Sequence, residues 1–340
     1  MRCPSLKDLP APPAGKTGWP WTEETPFPSD ENPQGFVWPK ISIVTPNYNF
    51  GDFIEETIRS VLLQGYPDLE FIIIDGGSSD NSVEIIKKYA PWIAYWSSEP
   101  DECQAAAINK GIKHCTGQIF NWICSDDILF KMALRTVGEA FSINQPDLII
   151  GRHIHRYQDK PGEIMEWRPS WPKKIFDFII GQQGMFKIAQ PATFLNSKLF
   201  KQYGLLRDDI RNGMDWEFYL RLMALPATPL TIHISDSVLA QTLLHPQSKS
   251  IKDHRSLLEI DRIKCLNLYF KYLNWFERIG LHWHCFQWKA YIKVFELQIK
   301  GHDTVSGLLL MGIKSPWIFL SRFYLGALKI KIFSRRQVKG

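Results

Sequence analysis

Between Ile41 and Gly151, short apolar runs alternate with stretches whose apolar residues recur at helical spacing. Ile41-Ser-Ile-Val-Thr45 is such a run and stops at Pro46, and Phe53, Ile54, Ile58, Val61 and Leu62 then mark one face of a helix over 53–64. Phe71-Ile-Ile-Ile-Asp75 carries a run of three β-branched isoleucines and ends at Gly76-Gly77, as a strand covered on both faces should. The same reading predicts helices over 80–89, 104–114 and 132–143, and strands over 93–96, 118–124 and from 147 to 151. Repeated strand–helix units imply parallel strands, right-handed crossovers and helices on both faces. Beyond residue 150 the alternation fades. Short strands with turns are expected over 152–170, helices over 198–203 and 214–224, and aromatic-rich helices over 252–300.

Before Lys40 no such pattern exists. Pro4, Pro10, Pro12, Pro13, Pro20, Pro26, Pro28, Pro33 and Pro39 prevent regular structure. Trp19, Trp21, Phe36 and Trp38 could still pin this arm to a surface. The chain therefore parses into an arm (1–39), an α/β domain (40–250, with halves 40–145 and 146–250) and a helical C-terminal extension (251–340).

Composition narrows the class. With 340 residues, 45% hydrophobic and 22% charged, the chain is neither disordered nor a small disulfide scaffold. Its six cysteines are scattered without C-x-x-C spacing, which points to reduced thiols and against a zinc site. No apolar leader opens the chain and no run of about 18 uncharged apolar residues occurs, so a cytoplasmic protein is expected. Charge is uneven: residues 255–340 hold 15 Lys and Arg against 5 Asp and Glu, whereas the rest holds 25 against 30. Basic residues interleaved with large aliphatic and aromatic ones over 304–340 suit the surface of an anionic membrane, at the inner face. A terminal helix packed on the body, with a solvated basic end, would look the same. Nucleic acid would explain the charge but not the aliphatic content.

The chemistry collects at strand ends. In an open parallel sheet, ligands sit beyond the carboxyl ends of the strands. Three predicted strands run there into Thr45-Pro-Asn-Tyr-Asn49, Asp75-Gly-Gly-Ser-Ser-Asp80 and Ser125-Asp-Asp127. Each group taken singly could be a helix cap. Asp126-Asp127 is the sharpest of them, because adjacent carboxylates after a buried strand repel unless a cation or donors compensate. Oxygen ligands of this kind suit Mg²⁺ or Mn²⁺. A solvated turn remains the plainer alternative.

The order of Ile41–Asn49, Ile74–Ser82, Glu99-Pro-Asp101, Ala107–Gly111, Trp122–Asp127 and Gly213–Arg221 resembles the family 2 glycosyltransferases, inverting nucleotide-sugar enzymes. The resemblance implies a GT-A type, Rossmann-like, mostly parallel sheet with flanking helices. It implies a hexosyltransferase-like transfer of sugar from a nucleotide-sugar to a hydroxyl, with inversion and metal assistance, in surface polysaccharide or glycolipid assembly. The acceptor would be a carbohydrate or a lipid-linked one. It further implies that Thr45, Pro46 and Asn49 touch the nucleotide, that Asp75 holds the base, and that Lys110 lies near the diphosphate. Asp126 would hold ribose or sugar, Asp127 and His245 the Mg²⁺ or Mn²⁺, and Asp215 would be the catalytic base. Gln190-Pro-Ala-Thr-Phe194 would line the acceptor side.

Elementary chemistry accords with these roles. Loss of a nucleoside diphosphate builds charge on a phosphate, which a divalent cation stabilises, while the attacking hydroxyl needs a base. Asp215 opens a helix, where a carboxylate stays ionised, although a cap would also sit there. Glu217 faces away from it and reads as structural or acceptor-contacting. Two positions depart from the family pattern, Cys103 and Ala106, and Gln241-Thr242 replace a segment that commonly carries Arg. A sugar nucleotidyltransferase is a second reading, disfavoured because Thr45–Gly51 lacks a basic residue. A non-catalytic nucleotide- or carbohydrate-binding protein is a third.

Overall fold

A computed structural model describes residues 1–28, 37–160, 162–175, 177–178, 188–248, 261, 264–275, 277–278, 308–309 and 325. The chain divides into two compact units, Met1–Lys252 and Asp253–Gly340.

The first unit is built on one sheet. Strands β1 (Ile41–Asn47), β2 (Leu69–Asp75), β3 (Tyr95–Ser98) and β4 (Ile119–Trp122) are all parallel, in the order β3-β2-β1-β4. Helices α1 (Gly51–Leu62), α2 (Ser82–Tyr89) and α3 (Gln104–His114) make the crossovers. Every residue of β1 is buried. Ile72, Ile73 and Ile74 are fully buried whichever face they point to, each contributing roughly 1.5–3 kcal/mol. That explains the unbroken apolar run. Helix α3 lies directly on β1, since a Cβ on Gly111 would come 2.5 Å from Val44 Cγ1.

Beyond β4 the sheet becomes mixed. It continues through β8 (Thr193–Asn196), β6 (Leu148–Tyr157), β9 (Ile232–Leu244) and β5 (Asp127–Leu129), with β7 (Ile164–Trp167) also paired to β6. Antiparallel ladders join β4 to β8, β8 to β6, β6 to β7 and β5 to β9, but β6 and β9 form a long parallel one. Helices α4 (Ala133–Asn144), α5 (Lys198–Tyr203) and α6 (Met214–Ala224) complete the unit.

The expected elements up to residue 151 are all present within a few residues. Strand β9 was not expected. Its sequence, Ile-His-Ile-Ser-Asp-Ser-Val-Leu-Ala-Gln-Thr-Leu-Leu, lacks clean alternation because its surroundings change along its length: it pairs with β6 throughout, the register is broken by an irregularity near Arg152, and β5 covers its other edge only at Ala240–Thr242. The strand from Gln118 stops at Trp122, and Asp127 starts a separate strand.

Residues 1–28 carry no helix or strand, yet they are tied down. Met1 N donates to Leu69 O (2.6 Å), Cys3 N to Tyr66 O (3.0 Å) and Trp19 Nε1 to Leu129 O (2.9 Å). The main clasp is Arg59 of α1, 0% exposed, which donates to the carbonyls of Pro10 (2.9 Å), Pro20 (3.1 Å) and Trp21 (2.9 Å) and to Tyr89 Oη (3.1 Å). A proline-rich segment has carbonyls to spare, and one guanidinium collects several at once. Trp38 packs edge-on to Tyr66, while Phe36 lies outside the described residues.

In the second unit, residues 264–269 are helical. Asn274 and Glu277 bond each other's backbone N–H reciprocally, at 2.9 Å each, as a capping box. Most of the expected 252–300 helices, and the 304–340 stretch apart from Leu308, Leu309 and Leu325, lie outside the described residues. Among the described residues no helix is long and apolar enough to cross a membrane.

Arg59→Met should leave three buried carbonyls without their donor and cost about 3 kcal/mol or more. Urea unfolding measures the loss, and limited proteolysis should show cleavage in residues 1–28 well before the sheet is attacked.

Candidate functional site

Parallel pairing puts the ends of β1, β2 and β3 in one row, Asn47 beside Asp75 and Asp75 beside Ser98. Asp75 is 0% exposed and accepts four hydrogen bonds, from Asn47 Nδ2 (2.7 Å), Ser78 N (2.9 Å), Ser78 Oγ (2.5 Å) and Ser98 Oγ (2.6 Å). Burial pulls its carboxyl upward, but the bonds from Ser78, Ser98 and Asn47 outweigh that and hold it below the usual carboxylate value. The turn that returns Ser78 needs Gly77, whose φ of 79° suits a residue without Cβ. Asp75 is therefore not a helix cap. That role falls to Asp80, which accepts from Gly51 N (2.8 Å) and Ser82 N (3.0 Å) at the starts of α1 and α2.

Asn49 belongs to the same corner: its N–H donates to Ser78 Oγ (2.8 Å), and its Oδ1 accepts from Ser79 N (2.8 Å). Among the described residues the Thr45 hydroxyl is buried without a hydrogen-bond partner, as is Asn47 Oδ1. Tyr48, between them and the helix, is 62% exposed. Lys110 pairs with Glu99 and, at 3.6 Å, with Asp101, so its charge is spent on the acids that follow β3. Burial raises the Asp101 carboxyl against the pull of Lys110, with Glu99 and Asp75 adding to the rise.

The second acidic group lies past β4. Asp127 N donates to Cys124 O (2.9 Å), closing a turn over 124–127. Helix α1 fixes this turn with a buried polar stripe at positions 57, 60 and 64. Thr57 Oγ1 reaches the carbonyls of Ser125 and Asp127 (2.7 Å each), Ser60 Oγ accepts from Leu129 N (3.1 Å), and Gln64 Nε2 donates to Phe130 O (2.9 Å). Ser125 Oγ donates to Pro46 O (2.9 Å), which seats the turn beside the end of β1. Two strand spacings, about 10 Å, thus separate the Asp75 row from the acidic turn.

On this turn Cys124, Asp126 and Asp127 each offer a ligand atom, all within 4.8 Å of one another. Asp127 is 4% exposed and its Oδ1 has no hydrogen-bond partner among the described residues. Burial, compounded by the Asp126 charge, pushes its carboxyl well above the usual value. Burial raises Asp126 as well, offset in part by His245, whose Nε2 lies 3.2 Å from Asp126 Oδ2. His245 stands one step outside the donor cluster. It stacks on Phe53 (4.1 Å between centroids), and its Nδ1 is buried without a partner among the described residues. An orphaned buried oxygen between neighbouring acids fits a divalent cation.

Thr242 faces Asp127 across the β5–β9 ladder and lowers its proton affinity. The other neighbour of the Thr242 hydroxyl is His153 Nε2, 3.0 Å away. Burial, helped by His155, drops His153 to about 3, so the ring is neutral. Asn47, Ser78, Ser98, Cys124, Thr242 and His153 were all missed as site residues. Ser98 was accessible to the strand-end argument once Tyr95–Ser98 had been treated as the third strand. His153 and Thr242 required β9.

Asp215 is the second residue of α6. Gly213 occupies the N-cap, so Asp215 is not the cap, and its charge acts on buried Tyr219. Glu217 is structural: fully buried, it accepts from Arg221 Nη2 (2.6 Å) and Nε (3.2 Å), and Arg221 Nη1 holds the carbonyls of Tyr203 and Leu205 (2.8 Å each). In the expected acceptor-side segment, Gln190 Nε2 donates to Trp122 O (2.7 Å) and Asn121 Oδ1 (3.1 Å). Cys103 Sγ lies 3.4 Å from Asp208 O.

Residues 42–203 match the family model "Glycosyl transferase family 2". A Mycobacterium tuberculosis protein described as an uncharacterised glycosyltransferase is 31% identical over 196 residues, which covers 57% of this chain and 72% of the relative. The chain belongs to glycosyl transferase family 2. It spans only 38% of the length of a Rickettsia felis relative, also an uncharacterised glycosyltransferase, to which it is 24% identical over 66% of its own residues. Among solved structures, a mannosyltransferase from Pyrobaculum calidifontis in complex with GDP-Man and Mn²⁺ aligns with a TM-score of 0.51 at 15% identity, covering 93% of this chain and 90% of that one. S. aureus TarS in complex with UDP-GlcNAc aligns at 0.50 and 16%, covering 67% of each. The fold is the expected GT-A type.

Ser98→Ala should lower stability at neutral pH by about 1–2 kcal/mol, the worth of a bond to a charged acceptor. A carboxyl held below its unfolded value stabilises above about pH 4 and loses that contribution as pH falls further, so the difference from wild type should shrink on acidification. Urea titrations at pH 7 and below pH 4 measure it. Asp127→Asn, which removes one of two confined like charges, should raise the metal-free protein's Tm by a few degrees, about 1 kcal/mol, in a calorimetric scan with chelator.

Proposed function

We propose that the chain transfers a sugar from a nucleotide-sugar to a hydroxyl acceptor, with inversion and with a divalent cation. The observation that carries this reading is the shared carboxyl edge of the parallel strands. It holds an ionised, fully bonded Asp75 at one end and a strained acidic turn at the other. The spacing of about 10 Å suits a nucleoside at the first and a diphosphate at the second. Family membership supports the reaction class.

In this reading Asp75 accepts from the base, which takes the place of one of its present donors. Its preset serines and asparagine keep it ionised and fixed, so binding costs little ordering. Asn49 and Thr45 border the nucleoside, and Asp126, steadied by His245, faces ribose or sugar. Cys124, Asp126 and Asp127 would hold the cation. When bound, a divalent cation supplies charge neutralisation at the departing diphosphate. Asp215 takes the proton from the acceptor hydroxyl as it attacks the face opposite the diphosphate, and the positive end of α6 favours its ionised form. Lys110, already paired with Glu99 and Asp101, would reach the diphosphate only by releasing one of them. The acceptor is a carbohydrate or a lipid-linked one, in polysaccharide or glycolipid assembly.

Asp215→Asn should lower turnover by about 10²–10⁴-fold, the usual worth of a general base. A thermal-shift response to nucleotide-sugar plus Mn²⁺ should persist in that variant. Full turnover in Asp215→Asn would remove it from the mechanism.

A further inference from the structure

We infer that Cys124 is a metal ligand, and that its sulfur makes the acidic turn select thiophilic divalent cations over Mg²⁺. The inference rests on the proposed metal-assisted reading and deepens it. Hard carboxylates alone would suit Mg²⁺ or Mn²⁺, the cations expected from the sequence. The structure places a sulfur among them: Cys124 Sγ and the carboxylates of Asp126 and Asp127 lie within 4.8 Å of one another. Three features make this more than a chance neighbour.

First, the turn is rigid. The backbone bond from Asp127 N to Cys124 O, the Thr57 bonds to the carbonyls of Ser125 and Asp127, and the Ser125 bond to Pro46 leave residues 124–127 little freedom to splay apart. Second, Asp127 Oδ1 is buried and has no hydrogen-bond partner among the described residues, so the site offers a cation an acceptor oxygen that no described side chain has taken. Third, Gln104 Nε2 donates to Cys124 Sγ at 3.2 Å. The sulfur is thus oriented as an electron-pair donor by a side chain from the start of α3. This is the outer-shell support that a ligating atom ordinarily receives.

Soft thiolate shifts a mixed site toward Zn²⁺, Co²⁺ and Cd²⁺, whereas Mg²⁺ gains little from sulfur. On coordination the Cys124 S–H bond breaks, the electron pair goes to the metal and the proton to water. No oxidant is involved. The effect on catalysis would be a changed order of cation preference, with the acids unchanged in their roles.

Co²⁺ titration of the full chain tests this by absorption. Wild type should develop an intense near-ultraviolet thiolate-to-cobalt charge-transfer band. Cys124→Ser should lose the band and weaken Cd²⁺ binding by about 10–100-fold in calorimetry, while Mn²⁺ and Mg²⁺ affinities change far less. Cys103→Ser and Cys115→Ser should keep the band. Cys124→Ala, checked by circular dichroism, guards against a misfolded serine variant. A wild-type protein that binds Mn²⁺ in an Asp127-dependent way but shows no sulfur band, or a band that survives Cys124→Ser, would overturn the assignment and leave the glycosyl-transfer reading standing. Absence of any divalent binding at this turn would overturn both.

Discussion

Two carboxylates, Asp126 and Asp127, are kept side by side and largely out of water, and much of the surrounding architecture offsets that arrangement. Confined like charges destabilise a fold unless something compensates. Here α1 reads the turn's backbone with Thr57, Ser60 and Gln64, Ser125 anchors it to β1, His245 answers Asp126, and Thr242 backed by neutral His153 answers Asp127. Among the described residues one oxygen, Asp127 Oδ1, is still left unanswered, and the proposed cation site rests on it.

The sheet decides what that cation neighbours. Parallel register brings Asn47, Asp75 and Ser98 level with one another, and Pro46 receives the acidic turn on the next strand. The two acidic groups are opposites electrostatically. Asp75 is saturated with donors and prefers its charge, whereas Asp127 is starved of them and resists it. In the proposed function a nucleoside lies at the first and a metal-bound diphosphate at the second. The N-terminal segment supports this edge from below, since Arg59, which gathers its carbonyls, lies on the same helix as Thr57 and Ser60.

The first half of the fold was legible because buried parallel strands announce themselves as unbroken apolar runs between helical repeats, as in Phe71–Asp75. The second half was not. Strand β9 pairs with β6 along its length across a register irregularity and is covered by β5 on its other edge only near its end, so its residues see different surroundings and no single period emerges. Losing β9 meant losing Thr242 as the partner of Asp127. Asp75, Asp126 and Asp127 could be named from the predicted strand ends they follow, and His245 from the resemblance to the family. Their support could not, since Ser98, Cys124 and His153 acquire meaning only through register and turn geometry. Cys124 was passed over because cysteines were judged against one another, as possible pairs, and not against the carboxylates two and three residues on. Asp215 illustrates the reverse: helix position was readable, and the cap proved to be Gly213.

The account's central claim is that the acidic turn seats a divalent cation beside a nucleoside diphosphate. Anomalous diffraction from crystals grown with Mn²⁺ and a nucleoside diphosphate tests it most directly. The account predicts one manganese peak bonded to Asp127, with a diphosphate oxygen on its other side and the base toward Asp75. A nucleotide bound at that edge with no metal at the turn, or manganese held elsewhere on the protein, would contradict it.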